Sequence, residues 1–82
     1  MDYKERAQKD IEKLQLIIKK VRELGFEEKY SDLIIYAQNY LEDAKHFYEQ
    51  EDYFTCFGAA NYAYGFMDSI LLLEGKHDEN II

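Results

Sequence analysis

The sequence predicts an all-α protein: an antiparallel up-down-up three-helix bundle. Three observations carry this. Proline is absent and glycine numbers four in 82 residues, which suits long uninterrupted helices. Apolar residues recur at spacings of three and four along three stretches of similar length, as one face of a helix requires. The links between those stretches are short, so consecutive helices must fold back beside one another.

Asp2 opens the first helix. Its carboxylate is placed to accept from a free backbone N–H, and Glu5 follows three residues on, as in a capping box. Ala7, Ile11, Leu14, Ile18 and Val21 form the apolar stripe, with Ile17 and Leu24 beside it. Gly25 ends the helix, because glycine takes the left-handed cap conformation without penalty, and Phe26 can fold back on the last turn. The connection runs roughly from Gly25 to Lys29. Its Glu27 and Glu28 suit the positive start of the next helix.

The second helix carries Leu33, Ala37, Leu41, Ala44 and Tyr48 at the same spacing, widened by Ile34, Tyr40 and Phe47, and runs to about Glu49. Gln50, Glu51 and Asp52 make the turn, with Asp52 as N-cap of the third helix. That helix runs from about Tyr53 to Glu74, with Gly75 as its C-cap. Its core stripe is Cys56, Ala60, Ala63, Met67 and Ile70. Gly58, Tyr62, Gly65 and Ser69 fall on the opposite side, flanked by Phe54, Phe66, Leu72 and Leu73. In a lone bundle that outer line should be rich in Lys and Glu. It is not, and it reads as a helix–helix interface. Residues 1–75 form one domain, and residues 76–82 a frayed polar tail.

Charge narrows the function. The net charge is −7. Residues 1–24 carry seven Lys/Arg against five Asp/Glu; residues 25–82 carry three against twelve. An acidic body repels phosphate, so nucleic acid is disfavoured as a partner. Cys56 is the single cysteine, which fits a reducing compartment. The first ten residues lack the apolar core of a signal peptide, and no apolar run approaches a bilayer span, so a cytoplasmic location is expected without a membrane partner.

Tyr40-x-x-Asp43-Ala44-x-x-Phe47, the acidic turn Glu51-Asp52-Tyr53, and Asn61-Tyr62-Ala63-Tyr64-Gly65-Phe66-Met67-Asp68 carry a family likeness. The chain resembles the small archaeal family catalogued as domain of unknown function 357, most densely over residues 37–72. That family usually has glycine where Glu51 stands and alanine where Ser69 stands. The resemblance implies a three-helix up-and-down bundle in an archaeal cytoplasm, and no activity.

No catalytic constellation can be assembled. Glu42, Asp43 and His46 have the carboxylate–x–x–His spacing of a di-iron bundle, but the other helices offer no matching ligands. Glu42 and His46 read as a solvated i,i+4 pair. Cys56 lies in the core stripe beside acidic residues and reads as structural. The alanine-rich third helix is broadly like the HEPN class of nucleotide- and RNA-associated bundles, yet neither Arg6 nor Arg22 is followed by the His that the ribonuclease versions carry. Tyr40, Asp43, Asn61, Tyr64 and Asp68 form a possible polar ligand site or a register-fixing network, with the two aspartates expected to be partly buried. No cofactor or metal is expected. The chain reads as a non-enzymatic interaction module that associates through its third helix, as a homodimer or with another protein. A nucleotide- or RNA-associated accessory domain is the alternative.

Overall fold

A computed structural model describes residues 2–77 as three α-helices: α1 (Tyr3–Glu23), α2 (Ser31–Glu49) and α3 (Tyr53–Leu73). All three pack against one another. Of the frayed tail expected at residues 76–82, Lys76 and His77 are held, the first by its N–H on the Leu71 carbonyl and the second by its ring on Asp68; residues 78–82 lie outside the described residues.

Local chemistry sets the helix ends. The Asp2 carboxylate accepts from the Glu5 N–H at 2.8 Å, and the Asp52 carboxylate from the Thr55 N–H at 3.2 Å. α2 has no side-chain cap. It starts after Tyr30, and its first-turn acid is Asp32. Glu27, expected to serve that start, instead lies 3.6 Å from Arg22. All three helices close with one motif. Phe26 donates to the Val21 carbonyl and Gly25 to Arg22; Asp52 donates to Phe47 and Glu51 to Tyr48; Lys76 donates to Leu71 and Gly75 to Leu72. The pivot residues Gly25, Glu51 and Gly75 have φ of 85°, 63° and 67°. Glu51 is the non-glycine among them.

Contacts between helices fix their directions. Tyr30, just before α2, meets Glu74, just after α3, and Tyr40 and Tyr48 of α2 meet Tyr62 and Tyr53 of α3, so these two helices run antiparallel. Along α1, Arg6, Asp10 and Lys13 meet Phe57, Asn61 and Tyr64, so α1 and α3 run the same way.

The core joins Ala7, Leu14, Ile17, Ile18 and Val21 of α1 to Ile34, Ala37, Leu41 and Ala44 of α2. Cys56, Ala60, Ala63, Met67, Ile70 and Leu71 of α3 complete it. Burying each of the large side chains contributes about 1.5–3 kcal/mol. The α3 stripe is the expected one, extended by Leu71. Two positions differ elsewhere. Ile34, not Leu33, is buried on α2, because α2 turns its Ile34 side to both neighbours. On α1 the buried positions are Ala7, Asp10, Leu14, Ile17, Ile18 and Val21, and Ile11 is only half-buried.

Candidate functional site

The outer line of α3 is exposed along its length at Gly58, Tyr62, Gly65 and Ser69. Beside it Phe54 is 70% exposed, Leu72 61% and Leu73 75%. A Cβ added at Gly58 or Gly65 meets nothing within 4 Å, so neither glycine makes room for the protein's own side chains. Ser69 turns its hydroxyl onto the Gly65 carbonyl at 2.8 Å, back onto its own helix. Asp68 is the one charged residue between Tyr53 and Leu73.

Aromatic rings continue this face towards α2. Tyr36 stacks on Phe66 with centroids 5.4 Å apart, and Tyr40 meets Tyr62 at 5.1 Å. Tyr62 meets Phe66 at 4.8 Å. The neighbouring Tyr36 phenol, then burial, push the Tyr40 phenol above its ordinary pKa. Further along the seam, Tyr40, Phe47, Phe54, Thr55, Gly58, Ala59 and Tyr62 line a groove of about 610 Å³. A groove of rings beside a helix whose one charge is Asp68 can take up apolar side chains.

The five residues read as a polar cluster do not converge. Tyr40 joins the aromatic seam with α2. Asp43 is exposed, against expectation. Asn61 faces α1 and donates to the Asp10 carboxylate at 2.8 Å and to the Phe57 carbonyl at 2.8 Å. Tyr64 lies under Lys13, whose Nζ is 5.1 Å from the ring centroid; burial, then Asp68, push its phenol up. Asp68 is half-buried, and its partner is His77 at 2.7 Å rather than a tyrosine. Asn61 and Tyr64 therefore belong to the α1 seam and Tyr40 to the α2 seam. The Glu42–His46 pair also does not form, since Glu42 reaches Lys45 at 3.6 Å.

The buried carboxylate is one the sequence reading passed over. Asp10 is 5% exposed, with Arg6 Nε at 3.3 Å and Asn61 Nδ2 at 2.8 Å on the same oxygen. Its signal was present: Ala7, Asp10, Leu14, Ile17 and Val21 are spaced three and four apart. Cys56 is free and buried. Burial pushes its thiol up, with Asp10 and Asp52 adding to the effect, so it is a poor nucleophile. Among the described residues no three His, Cys, Asp or Glu converge to hold a metal, and no helix is long and apolar enough to cross a membrane.

These features define an acidic three-helix bundle with an uncharged aromatic face on its last helix. Residues 2–75 match the family described as Protein of unknown function (DUF357), and the chain belongs to that family. No curated protein and no solved structure matches it.

Proposed function

We propose that the protein is a non-enzymatic interaction module whose partner, through the outer face of α3, is a second copy of itself. The observation that carries this reading is the exposure of Phe54, Tyr62, Leu72 and Leu73 along a helix whose opposite side already fills the core. Contiguous apolar surface of this kind marks an interface. Self-association is favoured by charge. The chain carries a net −7, which opposes association through its acidic surfaces, whereas the line from Phe54 to Ser69 carries a charge only at its flank, at Asp68. The open space at Gly58 and Gly65 lets a second α3 approach closely. The reading includes an archaeal origin, which rests on the family resemblance alone, and a cytoplasmic location, with which the free Cys56 accords.

Light scattering at low micromolar concentration tests it. The expected result is a dimer mass for the wild type. Gly65→Gln has room in the protomer and adds about 0.5–1 kcal/mol of helix propensity, so it should separate dimer from fold. The variant should be monomeric yet melt no lower than a wild-type monomer at high dilution. A wild-type monomer at these concentrations refutes self-association. A dimer indifferent to Gly65→Gln assigns the contact to another surface.

A further inference from the structure

A second concave surface lies between α1 and α2, away from the outer line of α3. It has a volume of about 340 Å³, within the range of small-ligand sites. Ile18 and Leu41, both buried, form its floor. Lys19 and Arg22 of α1 and Lys45 of α2 line it, with the amides of Gln15 and Gln38 and a single carboxylate, Glu23. Thus three of the ten Lys/Arg of an acidic chain gather at one groove.

Structure alone accounts for only part of this gathering. Arg22 sits in the last turn of α1, where a cation complements the helix carbonyls, but Lys19 and Lys45 lie outside the last turns of their helices. Arg22–Glu27 and Lys45–Glu42 are both 3.6 Å pairs with largely exposed carboxylates, which a competing anion displaces at little cost. Among the described residues Lys19 has no carboxylate within salt-bridge distance.

We propose that this groove binds a small organic molecule carrying two or three phosphate charges, the organic part lying on Ile18 and Leu41. Arg22 offers a planar fork for phosphate oxygens, Lys19 and Lys45 add mobile cations, and the glutamines supply neutral donors. The proposal goes beyond the association reading and stands without it, since no residue of the α3 face takes part.

Calorimetric titration of the full chain with ADP and with pyrophosphate at low salt tests it. Binding should weaken about 5-fold in Lys19→Gln and in Lys45→Gln, the size of one exposed ion pair. It should tighten in Glu23→Gln, where a repelling carboxylate is removed, and stay unchanged in Lys9→Gln, an exposed cation of α1 outside the groove. No heat with either probe at millimolar concentration overturns the proposal. So does equal weakening by Lys9→Gln, which signals bulk charge alone. A parallel titration with a short single-stranded RNA separates the sources of phosphate. Groove-dependent binding of the RNA without binding of ADP or pyrophosphate overturns the small-molecule assignment.

Discussion

Replacing Glu51 by glycine should stabilise the protein. Glu51 is the pivot of the α2–α3 turn, at φ 63°. Its N–H donates to Tyr48, and the next N–H, of Asp52, donates to Phe47. Those two bonds close α2 while Asp52 caps α3, so the turn cannot relax without opening both helix ends. Holding a residue with a Cβ in the left-handed region costs about 1–2 kcal/mol. Glycine removes that cost but adds about 0.4–1 kcal/mol of unfolded-state entropy to be lost. The net gain is about 0.5–1 kcal/mol, or roughly 2–8 °C in Tm for a domain of this size. Charge should not obscure it. A carboxylate here lies between the negative end of α2 and the positive start of α3, and the two effects oppose. Glu51→Gln should therefore melt close to wild type, and Glu51→Ala, which keeps the Cβ, should gain little. Melting all four proteins at one concentration measures the difference. A glycine variant no more stable than the alanine variant refutes the account of strain at this turn.

Asp10→Ala should lower stability by about 1–2 kcal/mol. Two hydrogen bonds to a charged acceptor are lost, offset by the carboxylate's burial cost and by alanine's better helix propensity. An unchanged urea midpoint would mean that desolvation of Asp10 cancels its bonds. Glu74→Gln should act in a defined pH window. Its hydrogen bond with Lys29, then that from Tyr30, hold the Glu74 carboxyl below its ordinary pKa, so its contribution is present above about pH 4.3 and is lost as the acid form takes over. The Glu74 carboxylate first raises the pKa of both Lys29 and Tyr30, so their share is present below about pH 10 and fades above it. The Tm gap between wild type and Glu74→Gln should hold between those limits and narrow as the pH falls below the ordinary carboxylate pKa; a gap that does not change with acidification refutes the ion-pair account.

Much of the fold follows from local rules that need no partner. Asp2 and Asp52 cap helices because their carboxylates reach N–H groups three residues on. Gly25 and Gly75 end helices because they accept positive φ. The stripe from Cys56 to Ile70 was legible because its alternatives on α3 are marked by glycine and serine. On α1 and α2 periodicity left a choice. Ile11 competes with Asp10 and Leu33 with Ile34, and each pair is adjacent, about 100° apart on the helix. Hydropathy favours Ile11, yet Asp10 is the buried one, because Asn61 and Arg6 meet its carboxylate. Asn61 is 51 positions away, beyond any local rule.

What the sequence determined by itself is three helices with their apolar stripes, the N-caps of α1 and α3, and the bare outer line of α3. What the tertiary structure decided is which flank of each helix meets which neighbour. The same three stripes can close with the third helix on either side of the first two, and a helical wheel does not distinguish the two hands. In the hand adopted, Asn61 and Tyr64 turn to α1, while Tyr62 and Phe66 turn to α2. That choice divided the tyrosine–aspartate cluster between two seams, assembled the aromatic groove, and placed Lys45 across from Lys19 and Arg22. The physical reason is that one apolar stripe specifies burial, whereas a flank acquires its partner only once three helices have chosen a direction of winding.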